Sequence, residues 1–279
     1  MLTDYHVHLR PDEDDSTAER YFTQANVDRY REAASERGIT ELGVAEHIHR
    51  FVQSLEIWRH VWYRHWAADD VDEYCDFVLE AGLRLGIEAD FLPGREDRVA
   101  NFLNGRRWDY VVGSIHFLRD DAVDVHGEPE WEPWDIWRGA DPEKVWARYF
   151  EALGEAARSG LFDILAHPDL IKVFGDRVPH PEGDLRRFYE RAMDGIADSD
   201  VAIEVSTAGL RKPAGEIYPA SAFLEMCLEA GRPVALSSDA HRPDDLGHEY
   251  ERAVEWLQDL GVGEIAVFEG RVRRLEPLG

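Results

Sequence analysis

Asp4-Tyr5-His6-Val7-His8 ends the first strand-like run of the chain with two imidazoles two residues apart. On an extended backbone alternate side chains share a face, so His6 and His8 can grip one ion together. Five further segments repeat the theme: Glu46-His47, Gly86-Ile87-Glu88, Gly113-Ser114-Ile115-His116, Ala166-His167-Pro168 and Ser238-Asp239-Ala240-His241. Each closes or follows a short apolar or β-branched run that reads as a buried strand. Ligands delivered from the ends of many successive strands are how a (β/α) barrel builds an active site at one rim. The mixture of imidazole and carboxylate suits Zn, Mn or Fe rather than Ca or Mg.

Strand-like and helix-like runs alternate outward from that first segment. Strands are expected at Asp4–Val7, Glu41–Ala45, Arg84–Ile87, Tyr110–Val112, Asp163–Ala166, Ala202–Val205, Pro233–Leu236 and Glu264–Val267. Amphipathic stretches lie between them, at Val27–Arg37, Val71–Leu83, Pro142–Ser159, Gly183–Ala197, Ala220–Ala230 and Asp244–Leu260. Gly38, Gly86, Gly160, Gly231 and Gly261 stand where a left-handed residue would stop a helix. Repeated βα units argue for a parallel sheet, and seven or eight of them for a closed barrel. The expectation is one α/β domain over residues 1–279, since barrels of this length are common. Two segments break the pattern. Trp58, Trp62 and Trp66 are spaced as one helical stripe, which reads first as a packing face. Leu118–Ala140 is a long irregular stretch rich in Asp, Glu, Pro and Trp, the kind of loop that serves as an active-site lid.

The chain carries 57 acidic against 31 basic residues, a formal charge of −26, and its lysines are Lys144, Lys172 and Lys212 alone. Such a surface repels nucleic acid and anionic membrane, because binding a phosphate backbone needs clustered Lys and Arg. Cys75 and Cys227 are too few and too isolated for a disulfide framework or a thiolate zinc site. A first strand two residues from Met1 leaves no room for a signal peptide, and no apolar run approaches a membrane span, so a cytoplasmic protein is expected.

Taken singly, a His-x-His, a buried histidine or a strand-end glutamate is commonplace. Six such segments at corresponding places are not. The arrangement resembles the PHP (polymerase and histidinol phosphatase) superfamily, whose metal sites use His-x-His, His, Glu, His, His and Asp-x-His in this order. The resemblance spans nearly the whole chain. It is closest to the histidinol-phosphate phosphatase branch through Gly86-Ile87-Glu88-Ala89-Asp90-Phe91-Leu92-Pro93-Gly94, Ala166-His167-Pro168-Asp169-Leu170-Ile171-Lys172, Glu204-Val205-Ser206-Thr207-Ala208-Gly209-Leu210-Arg211-Lys212-Pro213 and Ser237-Ser238-Asp239-Ala240-His241-Arg242-Pro243.

The resemblance implies a distorted seven-stranded TIM-like barrel holding two to three divalent ions. One ion would take His6, His8, Glu88 and Asp239; a second Glu88, His116 and His167; a third His47, His241 and one more group. In the superfamily pattern a histidine stands six residues after the second His of His-x-His. Here that position is Asp14, with Asp12 or Asp15 as substitutes through loop adjustment. A carboxylate can replace imidazole toward Zn, Mn or Fe.

Such a centre lowers the pKa of water and neutralises phosphoryl oxygens, so Glu88, Asp239 and His241 are the candidate catalytic residues. Fixed cations for the phosphate are expected from Arg211 and Lys212 first, then Lys172 and Arg242. The general acid stays open between a water, His180 and an acidic residue of 118–140. Tyr218 or the loop tryptophans could cover the substrate. The expected activity is hydrolysis of L-histidinol phosphate in histidine biosynthesis. The alternatives are another small phosphate ester or nucleotide, or an exonuclease-like phosphodiesterase, which the −26 charge disfavours.

Overall fold

The computed structural model describes all residues 1–279. Seven parallel strands follow one another in sequence and in space: β1 (Thr3–Asp4), β2 (Glu41–Val44), β3 (Arg84–Asp90), β4 (Tyr110–Ser114), β5 (Ile164–Leu165), β6 (Ala202–Ser206) and β7 (Val234–Ser237). Helices Gln24–Glu36, Val71–Glu80, Glu96–Leu103, Pro142–Arg158, Arg186–Ala197, Ser221–Glu229 and Tyr250–Asp259 form the outer ring. Their starts are local chemistry: Thr23, Asp70 and Asp141 each accept a first-turn amide, and Pro142 sits where its missing N–H costs nothing. The ring nearly closes beyond the ends of β1 and β7. Val7 bridges Ala240, the His8 amide donates to Ala240 O at 2.8 Å, and Asp4 accepts the Ser238 amide at 3.1 Å and its hydroxyl at 2.5 Å.

The barrel interior is narrow, and its residues are chosen for that. Ala45, Ala166, Ala202 and Ala235 share it with Tyr5 and Tyr110. Gly86 is an inward position on β3, not a helix stop: a Cβ there would lie 2.3 Å from the Tyr110 ring. The stop after Val71–Glu80 is Gly82 instead, with φ +65°. The expected strand at Glu264–Val267 exists but lies outside the barrel. As β8 (Glu264–Glu269) it pairs antiparallel with β9 (Val272–Pro277), and Phe268 packs on Tyr5 and Tyr110 beneath the barrel.

The tryptophan stripe is shorter than its spacing suggests, because the helix begins only at Val61. Trp58 lies before it and stacks on His60, while Trp62 and Trp66 remain on the helix. The 118–140 stretch is packed rather than structureless. It opens with a ribbon of Phe117–Leu118 against Asp121–Ala122, and buried Trp137 donates to Val123 O at 2.9 Å. No helix is long and apolar enough to cross a membrane.

Candidate metal centre

All the barrel strands run in one direction, so every strand-end ligand arrives at the same rim. His6 and His8 follow β1, with ring centroids 5.2 Å apart. His47 follows β2 and bridges Glu88 on the neighbouring β3; the Glu88 amide donates to Glu46 O at 3.0 Å. His116, His167 and the pair Asp239 and His241 follow β4, β5 and β7. Glu88 lies at the centre of this set. Its Oε2 is 2.5 Å from His47 Nδ1, 3.3 Å from His6 Nε2 and 3.6 Å from His8 Nε2. Its Oε1 is 3.3 Å from His116 Nε2 and 3.2 Å from His167 Nε2. Asp239 Oδ1 reaches His8 Nε2 at 3.4 Å and His6 Nε2 at 3.8 Å.

The fit to ions rests on what the protein leaves unpaired. His6 Nε2, both His8 nitrogens, His47 Nδ1, His167 Nδ1, His241 Nε2 and Glu88 Oε2 are buried without hydrogen-bond partners. Buried polar atoms are normally paired, and so many orphans gathered at one rim of the barrel mark a place for cations. Four overlapping triads bring ligand atoms within 4.8 Å of one another: His6/His8/Asp239, His6/Glu88/His167, His47/Glu88/His116 and His8/His47/His241. Without ions, protons carry the compensating charge. Burial alone would lower the His6 and His47 pKa values. Glu204, Glu88 and Asp239 around His6, and Glu88 and Asp12 around His47, more than offset it and hold both well above normal. His116 is pushed up to about 9 against burial, by Glu88 and Asp90. His8, buried among His241 and His47, is held well below normal and stays neutral.

Sequence reasoning named the inner ligands and missed the carboxylates behind them. Glu204 on β6 accepts from His6 Nδ1 at 2.9 Å and from the His167 amide at 2.6 Å. Asp90 on β3 accepts from His116 Nδ1 at 2.8 Å and from Tyr63 Oη at 2.6 Å. Such partners fix which ring nitrogen faces the ion and how the ring is turned. Buried carboxylates within wholly buried strands were the available signal. His167 and Asp239 also hold positive φ, +24° and +50°. Backbone of this kind in non-glycine residues gathers at functional sites.

The first loop differs from the expectation for Asp14. Asp14 is exposed and pairs with His65 at 3.1 Å, whereas Asp12 Oδ2 stands 2.9 Å from His241 Nε2 and 3.7 Å from His47 Nε2. The loop turns so that the earlier carboxylate reaches inward. The expected phosphate cations also separate. Lys212 lines the cavity over the centre and has no carboxylate partner. Arg211 instead donates to Ser238 O and Asp239 O at 2.9 and 3.0 Å, holding the turn that carries Asp239. Lys172 is buried against Asp169 and Glu216, and Arg242 is paired with Glu13. His180 is tied to Gly175 O at 2.7 Å.

The cavity is about 610 Å³, within the usual range for a small-molecule site. Trp62, Trp66, Trp131 and Phe117 form one wall, and Asp124, Glu128 and Glu130 line it as well. Trp62 and Trp131 pack with centroids 4.6 Å apart. The Tyr218 hydroxyl is buried beside this cavity without a partner.

Known proteins agree with this geometry. The PHP domain family matches residues 19–208. A probable histidinol-phosphatase of Deinococcus radiodurans is 38% identical over 202 residues, 72% of this chain and 73% of that protein. The histidinol-phosphatase of Bacillus subtilis is 27% identical over 63% of this chain and 69% of its own length. A histidinol phosphate phosphatase from Lactococcus lactis, solved with zinc, L-histidinol and phosphate, shares the fold at a TM-score of 0.72, with 17% identity and 98% of both chains covered. The family match takes in β2 through β6, and the solved structure shares the barrel over nearly the whole chain. With residues 19–208 matched and a relative 38% identical over 72% of its length, the chain belongs to the PHP domain family.

Proposed function

We propose that this chain hydrolyses L-histidinol phosphate to L-histidinol and phosphate, as a step of histidine biosynthesis, with two to three divalent ions of Zn, Mn or Fe as cofactors. The observation that carries the reading is the convergence of six imidazoles on Glu88 and Asp239 at the floor of a cavity of small-molecule size. His6, His8, Glu88 and Asp239 would hold one ion, Glu88, His116 and His167 a second, and His47, His241 and Asp12 a third. Ions bound there supply hydroxide at neutral pH and neutralise phosphoryl oxygens, so no Ser, Cys or Asp nucleophile is needed.

The remaining work falls to side chains of the cavity. Lys212, the cation on its wall with no carboxylate partner, would meet the phosphate. Trp62, Trp66, Trp131 and Phe117 keep water from the organic half of the substrate. Asp124, Glu128 and Glu130 favour a leaving group that carries positive charge, as an amino alcohol does. The same carboxylates disfavour nucleotides and nucleic acid, which supports a small monoester over the phosphodiesterase reading.

A turnover panel on the metal-loaded protein tests this. L-Histidinol phosphate should exceed nucleoside monophosphates and a generic aryl phosphate in kcat/KM by about 10²-fold or more, the scale that pocket fit alone can supply. Equal values across the panel would remove the substrate assignment while leaving a phosphatase.

A further inference from the structure

Asp12 does not reach the site unaided. Arg50, in the turn Ile48–Arg50 just after His47, is buried and pairs through Nη2 with Asp12 Oδ1, while the same nitrogen donates to Pro11 O at 3.2 Å. The guanidinium lies over the Trp66 ring at 4.9 Å and within 4.0 Å of Glu46 Oε2. Glu46 is itself fixed by the Leu9 amide at 2.9 Å and by Arg10 at 3.2 Å, and Arg10 is anchored by Asp69 at 2.6 Å. The two oxygens of Asp12 are thereby divided. Oδ1 belongs to Arg50, and Oδ2 alone faces His241 and His47.

We propose that Arg50 is the positioning residue of the third ion site: it draws Asp12 inward and restricts it to one oxygen toward His47 and His241. The inference rests on the metal-centre reading given above. Three observations point the same way. The pull is local, because Arg50 holds both the Pro11 carbonyl and the Asp12 side chain, and so sets the turn of the loop at that point. The alternative carboxylate is engaged elsewhere, because Asp14 pairs with His65 at 3.1 Å. The clamp is rigid, because a buried guanidinium stacked on Trp66 keeps its fork in place where a lysine would supply only a point charge. Arg50 reduces the charge that Asp12 offers an ion. Fixing the ligand outweighs this, since outer partners of metal ligands are typically worth 10–100-fold in affinity.

The test counts metal per chain by elemental analysis at controlled free Zn²⁺, independent of turnover. Wild type and Asp14→Asn should hold three ions and Asp12→Asn two. Arg50→Met should hold two where wild type holds three, and recover the third at roughly 10–100-fold higher free Zn²⁺. In the Asp12→Asn background, Arg50→Met should cause no further loss, which separates positioning from a general folding defect. Arg50→Met with unchanged third-ion affinity, equal loss of all three ions, loss of the third ion in Asp14→Asn, or a wild type that never exceeds two ions would each overturn the proposal. A different preferred substrate would leave every one of these counts unchanged.

Discussion

Both carboxylate oxygens of Glu88 face imidazole nitrogens, Oε2 toward His47, His6 and His8 and Oε1 toward His116 and His167. Glu88→Ala should therefore release metal and lower kcat/KM by about 10³-fold or more, since ion chemistry supplies several kcal/mol of barrier reduction. Retained metal with near wild-type turnover would contradict the site. Glu204 and Asp90 act one shell further out. Glu204→Gln and Asp90→Asn should keep the fold and weaken metal binding by about 10–100-fold, read by competition with a chelator. The two cations in sequence at Arg211 and Lys212 should part company. Lys212→Ala should raise KM with metal content intact. Arg211→Ala should lower metal affinity, because it frees the carbonyls of Ser238 and Asp239. If Arg211→Ala changed KM alone, the positioning role would belong elsewhere. The residues that converge on Glu88 and Asp239 were legible because each ends an apolar run. Glu204 and Asp90 were not assigned, because the pattern of a buried strand does not tell a carboxylate that faces an ion from one that faces an imidazole.

Among elements, the barrel strands announce themselves as short apolar runs because a parallel sheet is buried on both faces. Their ends shifted by one to three residues, which is ordinary for the boundaries of short strands. The eighth run, Glu264–Val267, carries the same signal and a different fate. Gly270 and Arg271 both take positive φ between β8 and β9, the conformation of a tight hairpin that matches strand twist. The run therefore turns back on Val272–Pro277 instead of entering the ring. Gly86 shows the same limit: its place before Glu88 was read as a helix stop, and its reason is the Tyr110 ring on the neighbouring strand β4. Gly86→Ala should destabilise the fold by about 1–3 kcal/mol through overpacking, measured by denaturant unfolding of the metal-free protein. An unchanged midpoint would mean the Tyr110 ring moves aside freely.

At the scale of the whole molecule, closure of the ring by Val7, Ala240 and the Asp4–Ser238 pair puts the first and last ligand segments side by side. Residues more than 200 positions apart in sequence thus share one ion site, and neither His6/His8 nor Asp239/His241 suffices alone. The surrounding carboxylates hold the His6, His47 and His116 pKa values above normal, so ion binding should displace protons from these rings. Affinity should weaken as pH falls, since the imidazoles are then harder to deprotonate. Calorimetric titration of Zn²⁺ in two buffers of different ionisation enthalpy should give different heats; equal heats would mean that no protons leave. The most direct measurement is turnover of L-histidinol phosphate by chelator-stripped protein as a divalent ion is added back, with Glu88→Ala alongside. The stripped wild type should be inactive and gain activity that saturates at two to three ions per chain, while the variant stays inactive at every loading. Full activity after complete stripping, or none at any loading with Zn, Mn or Fe, would contradict the account.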